Sequence, residues 1–400
     1  MRSQSRTKTK HHSSQIRYAV VGLGYIAQAA VLPAFKNARE NSTLAALVSD
    51  DADKLKKLGS KYKVPLLCDY DHYDQLLESD LIDAVYIAVP NSLHLDFALR
   101  ATKAGKHVLC EKPLAVTTRG CLRMLESARQ NDVRLMTAYR LHFEAATLNT
   151  LDQIRKGRIG EPRIFNALFA FQIKDDNVRL ERDLGGGTIY DLGIYCINAA
   201  RHVFQAEPHL VSAISATDTD ERFGEIDEMT AGTLMFPGGA LATFVSSFGA
   251  ADRSVCEIVG TRGSIRLDPA FDYSEALKQE IALDGRSKTK AFPKVDQFAP
   301  ELIHFSQSII EGTNPEPSGR EGLADVRVIE ALYRSAALGR PVELPRFGDT
   351  EQPSIKQQMH RPAVNEPRLF HARGPSEEDL SERRFGRRQQ KRAAHFDYGP

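Results

Sequence analysis

The strongest constraint on how this chain can fold is an alternation. Between residues 16 and 139, short unbroken apolar runs take turns with helical stretches. Residues 16–23, 42–48, 66–68, 84–89, 107–110 and 135–139 read as strands. Residues 25–38, 52–62, 73–78, 92–104 and 117–131 read as the helices between them. A strand that is apolar along its whole length is buried on both faces, and a helical crossover lets successive strands pair in parallel. The pattern predicts an α/β Rossmann-type domain, a doubly wound parallel sheet, over residues 16–140.

The rhythm then changes. After a helix at 145–156 come a strand at 163–173, a turn at Gly185-Gly186-Gly187 and a helix at 189–204. Strands at 210–216, 228–236, 240–248, 254–260 and 264–267 follow, joined by turns such as Pro237-Gly238-Gly239 and Thr261-Arg262-Gly263. Connections that short require antiparallel neighbours. The expectation is an α+β domain over residues 141–345 with a large, mostly antiparallel sheet, closed by helices at 300–311 and 320–338. Two domains also suit 400 residues, more than one core usually holds.

The flanks differ. Residues 1–15 form a basic arm without the apolar block of a secretory signal, and no run of 18 apolar residues occurs anywhere. Beyond residue 345 the chain is polar, with a basic cluster at Arg383, Arg384, Arg387, Arg388, Lys391 and Arg392, and reads as a disordered, solvated tail over 346–400. Lys and Arg number 53 against 52 Asp and Glu, so the net charge of +1 gives no field drawing the protein to nucleic acid or membrane. The five cysteines are scattered without a CxxC pair, which argues against a disulfide framework and against structural zinc. No metal is expected, and a cytoplasmic location fits.

Five features carry chemistry. Gly22-Leu23-Gly24-Tyr25-Ile26-Ala27 lies where the first strand hands over to the first helix. There Gly22 permits a tight turn, Gly24 lets backbone approach a pyrophosphate, and Tyr25 and Ile26 open a helix whose N–H groups face the phosphate charge. The second strand ends at Ser49-Asp50-Asp51, with Lys54 following. A neutral Ser49 beside Lys54 suits a 2′-phosphate and favours NADP, whereas an inward Asp50 favours NAD; Asp51 is placed to cap the next helix. Pro90-Asn91-Ser92-Leu93-His94 and Cys110-Glu111-Lys112-Pro113 follow the fourth and fifth strands, at carboxyl ends where such sheets bind ligands. Lys112 taken alone reads more readily as a surface lysine than as a functional one; the next motif reverses that. The fifth feature is Gly185-Gly186-Gly187-Thr188-Ile189-Tyr190-Asp191-Leu192-Gly193-Ile194-Tyr195. Here Thr188 is placed to cap a helix on which Asp191 and Tyr195, four apart, share a face. The glycines leave room for a flat ring against the loop. A carboxylate and a phenol near a lysine make an acid–base group, the cation being what a phenol needs to surrender its proton at neutral pH.

Taken in order, these motifs resemble the glucose–fructose oxidoreductase / inositol dehydrogenase (Gfo/Idh/MocA) family over residues 16–345. Tyr195, where many members carry His, is similar to the branch of glucose–fructose oxidoreductase, dihydrodiol dehydrogenase and NADP-dependent xylose dehydrogenase. So are Ala138-Tyr139-Arg140-Leu141-His142-Phe143 and the set Ser49, Lys54 and Tyr70. The resemblance implies an NAD(P)-dependent oxidoreductase acting on the CH–OH group of a sugar or polyol. Lys112, Asp191 and Tyr195 would be catalytic, with Tyr195 the proton donor or acceptor. Lys112, Tyr139, Arg140, Asp191 and Tyr195 would contact substrate. Gly22, Gly24, Tyr25, Ile26, Ser49, Lys54, Tyr70, Pro90, Asn91, His94, Glu111 and Lys112 would line the cofactor. The alternative is a dinucleotide-binding sensor of the same fold without catalysis. The antiparallel sheet, open on one face, is the expected surface of a homodimer or homotetramer.

Overall fold

The computed structural model describes residues 15–217, 220–348, 351–365 and 367–376. Six parallel strands form the first sheet: β1 (Ile16–Val21), β2 (Ser42–Val48), β3 (Leu66–Cys68), β4 (Ala84–Ile87), β5 (His107–Glu111) and β6 (Leu135–Ala138), in the order β3-β2-β1-β4-β5-β6. The order reverses beside β1, which has β2 on one flank and β4 on the other, and this opens the crevice that binds ligands in such sheets. The crossovers are a π-helical turn Ala27–Val31 running into α1 (Leu32–Ala34), then α2 (Ala52–Tyr62), α3 (Tyr73–Glu78), α4 (His94–Lys103) and α5 (Thr118–Gln130). Asp51 caps α2 as expected, its carboxylate accepting from the Lys54 N–H at 2.8 Å.

The second sheet has nine strands: β7 (Pro162–Ala170), β8 (Leu210–Ala216), β9 (Met229–Met235), β10 (Leu241–Ser247), β11 (Arg253–Gly260), β12 (Gly263–Leu267), β13 (Leu277–Leu283), β14 (Arg286–Phe292) and β15 (Val342–Glu343). Every pair is antiparallel except β7 with β10. Helices α6 (Ala145–Arg155) and α7 (Ile194–Phe204) cover one face, burying Leu151, Ile154, Ile197 and Val203 against Phe165, Leu234, Phe244 and Ile258.

Three features depart from the expectations. The hairpin β13–β14 was not foreseen, although Asp284-Gly285 stands at its turn with positive φ of 51° and 73°. Its outer strand, Arg286–Phe292, is almost wholly exposed and polar, so the apolar alternation that marks a strand is missing. Helix α8 (Ala299–Glu311) does not close the second domain. It lies on the first sheet, where Leu302, Phe305 and Ile309 join Tyr18 and Phe35, Tyr18 Oη is 2.7 Å from Ser306 Oγ, and Asn41 donates to the Ile303 carbonyl at 2.9 Å. An apolar stripe says that one face is buried, not against which sheet. Helix α9 (Gly319–Leu338) serves both cores, with Leu323 and Val326 in the first and Val328, Ile329 and Leu332 in the second.

The third departure is the segment after β15. Residues 351–365 and 367–376 do not trail into solvent but are strapped across the molecule. Pro362 bridges Val295, Arg361 pairs with Glu40 at 2.6 Å, and Ser376 bridges Ile173. Backbone and side-chain polar groups anchor this strap rather than apolar burial, which composition cannot reveal. The basic cluster at 383–392 and residues 1–14 lie outside the described residues. No described helix is long and apolar enough to cross a membrane.

Candidate active site

The dinucleotide turn is built by contact on one side and openness on the other. Gly22 sits at φ 88°, and a Cβ there would come 2.5 Å from the Ala88 carbonyl oxygen, so only glycine lets β1 and β4 close together. A Cβ on Gly24 would meet nothing within 4 Å, leaving that backbone free for a ligand. Tyr25 and Ile26 start the helical turn, whose first N–H groups have no intrahelical partner. Open backbone at a helix start fits a pyrophosphate. At the end of β2, Ser49 is buried and its Oγ accepts from the Asp51 N–H at 3.2 Å, whereas Asp50 is exposed. Lys54 Nζ lies 3.7 Å from the Asp51 carboxylate. Tyr70 packs edge-on against Phe97 at 5.0 Å, and burial pushes its phenol up to about 12.

The loops after β4 and β5 are tied to each other and to the second domain. His94 is fully buried, with Nδ1 2.8 Å from the Pro113 carbonyl and Nε2 3.0 Å from the Val89 carbonyl. It therefore fastens Val89-Pro90 to the segment carrying Lys112. Asn91 donates to the Gly185 carbonyl at 2.8 Å, joining that loop to the glycine turn. Glu111 is buried, accepting from Tyr86 Oη at 2.8 Å; burial raises its carboxyl, partly offset by Lys112.

Lys112 is the meeting point. Its Nζ donates to Asp191 at the backbone carbonyl and at Oδ1, both at 2.9 Å, and stands 4.8 Å from the centre of the Tyr195 ring. Burial is the largest single influence and lowers the ammonium, but Asp191, Tyr195 and Glu111 together outweigh it and hold Lys112 above the ordinary lysine value. Asp191 is likewise buried, which favours protonation, yet Arg179 and Lys112 together hold it well below the usual carboxylate range. Buried Arg140 also lies over the Tyr195 ring, 5.0 Å from its centre, and is fixed by Gln297 Oε1 at 2.6 Å and by the Phe271 carbonyl. Such cation–π pairs are worth about 0.5–2 kcal/mol each, depending on desolvation, so they locate the ring more than they stabilise the fold.

The route by which Asp191 and Tyr195 approach Lys112 differs from the expected one. Ile189–Gly193 is wound as a π-helix before α7 begins, so the two do not sit on a regular helical i, i+4 face. Insertions of this kind cluster at functional sites because they re-aim side chains. Thr188 is not a cap: its backbone is already helical, and its hydroxyl donates to Asp227 at 3.1 Å. Nor do the glycines clear space for a ring. A Cβ on Gly185 would strike Val116 and Asn91 at 2.7 and 2.8 Å, and one on Gly187, at φ 126°, the Tyr333 hydroxyl at 2.5 Å. They permit close packing of protein on protein.

Tyr139 is not brought to this group. It is buried, its hydroxyl donates to Asp325, and Asp325 belongs to a network with Asn198 and Arg201. Arg179 was missed. Its Nε donates to Asp191 Oδ2 at 2.7 Å, so the carboxylate is held from both sides. Tyr273 was also missed; its hydroxyl donates to that of Tyr25 at 3.3 Å and its ring lies 5.1 Å from the Arg140 guanidinium.

Comparison with known proteins identifies the family. Residues 16–139 match the family described as "Oxidoreductase family, NAD-binding Rossmann fold", and residues 149–266 match the GFO/IDH/MocA C-terminal domain. An uncharacterized oxidoreductase of Rhizobium meliloti is 36% identical over 81% of this chain and 98% of its own length. A D-xylose 1-dehydrogenase (NADP(+)) of Haloarcula marismortui is 32% identical over 82% of this chain and 93% of its own. Among solved structures, an aldose-aldose oxidoreductase from Caulobacter crescentus, complexed with glycerol, superposes with a TM-score of 0.79 at 38% identity, covering 82% of this chain and all of the other. A 3-ketoreductase from Actinomadura kijaniata, in complex with NADP and TDP-benzene, gives 0.74 at 27% identity, covering 80% and 98%. With its parallel sheet, its open nine-stranded sheet and a lysine from one meeting a tyrosine beside the other, this chain belongs to the Gfo/Idh/MocA family of NAD(P)-dependent oxidoreductases.

Proposed function

We propose that this enzyme oxidises a pyranose or similar polyol, reversibly, at a secondary or anomeric hydroxyl. The observation that carries the reading is the convergence of Lys112, Asp191 and Tyr195 at the carboxyl end of β5. When bound, the nicotinamide accepts the hydride; the chain's own residues do the rest. In the oxidation direction Tyr195 acts as a phenolate, whose oxygen takes the proton of the reacting alcohol and becomes the neutral phenol as the hydride leaves carbon. Lys112 orients the alcohol oxygen and offsets the negative charge of the phenolate before that transfer. Asp191, anchored by Arg179, fixes the ammonium and accepts from a neighbouring substrate hydroxyl. Arg140 holds the Tyr195 ring at its working angle. Positioning of this kind turns an encounter into a unimolecular step.

The cofactor we assign is NADP in preference to NAD. Ser49 presents a neutral hydroxyl where a carboxylate would repel a 2′-phosphate, Asp50 faces solvent, and Lys54 supplies a cation nearby. The sugar class draws support from the relatives, whose names include a xylose dehydrogenase and an aldose-aldose oxidoreductase. We further assign the open face of the nine-stranded sheet as the surface of a homo-oligomer. A panel of aldoses and polyols, screened with NADP+ and NAD+ by absorbance of the reduced nicotinamide, tests the reading. Turnover of at least one aldose, faster with NADP+, is expected; no reduction with any sugar and either cofactor contradicts it.

A further inference from the structure

The strap reaches the residues that border the dinucleotide turn. Gln28, in the π-helical turn and almost wholly buried, donates to the Leu23 carbonyl inside the glycine turn at 2.8 Å. The same side chain pairs with the backbone of Phe370 at both ends, donating to its carbonyl and accepting from its N–H, each at 2.8 Å. One residue on, His371 Nδ1 lies 2.9 Å from Asp51 Oδ2, the carboxylate that caps α2 two residues after Ser49 and pairs with Lys54. The Phe370 and His371 rings stack at 3.9 Å, and Lys57 Nζ sits 3.8 Å above Phe370. A Cβ on Gly374 would lie 3.5 Å from the Tyr25 ring. The strap then crosses to the second domain, where Lys174 N–H donates to the Pro375 carbonyl at 2.9 Å and Ile173 bridges Ser376.

Resting on the dinucleotide reading above, we propose that residues 367–376 are a clasp in cis that closes over the cofactor site and keeps the dinucleotide from leaving freely. Three observations carry this. The anchors on the first domain, Gln28, Asp51 and Tyr25, border the glycine turn and the end of β2, where a dinucleotide lies. The far anchor is on the other domain, so the segment spans the mouth of the crevice rather than lining one wall. Its attachments include the Gln28 amide pair, the Lys61 ammonium on the Arg368 carbonyl, a half-exposed His–Asp pair, a cation over the Phe370 ring and the backbone contacts of Pro375 and Ser376, mostly polar contacts that can open locally while both cores stay folded. Phe370 and His371 thereby become part of the wall of the cofactor site, and exchange is gated by lifting of the strap.

The test is release of bound NADPH, followed by loss of its fluorescence on mixing with excess NADP+ in a stopped-flow instrument. The full chain is compared with a chain ending at residue 365. A Phe370→Ala, His371→Ala double variant, whose melting temperature is checked, keeps the test open should the truncated chain not fold. Release about tenfold faster in the truncated chain, and faster in the double variant, is the expected result. An unchanged release rate overturns the clasp. So does truncation that speeds association and tightens binding without changing release, since the strap would then be a plug in the cofactor's place. A full chain that binds neither NADPH nor NADH overturns the dinucleotide reading itself.

Discussion

His94 carries two opposed demands. A carbonyl oxygen faces each ring nitrogen, which favours a ring with two N–H groups, yet the side chain is fully buried, which disfavours its charge. Burial wins, and the imidazole is pushed down to about 4, with Lys112 adding to the effect. The unfolded chain takes up this proton near pH 6.5 and the folded chain does not until about pH 4. Between those values the unfolded state binds more protons, so this group's contribution is whole above pH 6.5 and falls as the pH drops. By pH 5 the loss is about 2 kcal/mol. Urea unfolding of the cofactor-free protein and of His94→Gln, at pH 7 and pH 5, checks this. The wild type's lead over the variant is expected to shrink by about 2 kcal/mol, and a lead that does not change with pH contradicts the assignment. At this scale the sequence was informative where a residue type stood at a strand end. Glu111 ends β5 and Lys112 follows it, Asn91 and His94 follow β4, and Lys112, Asn91 and His94 take part in tying the loops to one another or to the second domain. Arg179 was not legible, because nothing in the irregular stretch around it marks one arginine among several. Its role exists only once the chain folds back on Asp191. Tyr139 misled for the converse reason: it directly precedes Arg140, which does reach the Tyr195 ring, but its own hydroxyl turns toward a buried carboxylate that no local pattern announces.

Among elements, the parallel strands were readable because burial on both faces makes them apolar throughout, and the turns between antiparallel strands were readable from their glycines. The exposed strand β14 and the docking of α8 were not, since one lacks an apolar face and the other has one without an address. The nine-stranded sheet also leaves one face without helices. Pairing register puts Ile164 of β7, Leu241 of β10, Met235 of β9 and Ile214 of β8 on it, together with Leu168 and Val245. Ile164, Leu241 and Ile214 are exposed at 43%, 38% and 75%, an apolar surface of the kind that a second copy covers. A two-fold interface uses the same patch on both partners, so one charge introduced there is repeated across the contact. Sedimentation velocity is expected to give a dimer or tetramer for the wild type and a monomer for the Ile214→Arg, Leu241→Arg variant. A monomeric wild type contradicts this use of the sheet.

For the whole molecule, the proposed function depends on two cores being held in register. Helix α9 packs into both, Arg201 on α7 pairs with Glu321 and Asp325 on α9 at 2.6 Å each, and Asn91 reaches from one domain to the glycine turn of the other. The strap adds a further tie between the two domains. Composition hid that tie, because its hold comes from polar groups. The candidate site is thus a product of assembly: Lys112 follows β5 of the first sheet, Asp191 lies in the π-helical turn and Tyr195 at the start of α7 on the second, and their distances report how the domains meet. Single-turnover reduction of bound NADP+ by the best aldose substrate, with Lys112→Met beside wild type, tests this account most directly. The rate of reduction is expected to fall by about a hundredfold or more, with the dissociation constant for NADP+ changed by no more than about threefold. A Lys112→Met enzyme that reduces its cofactor at the wild-type rate would contradict it.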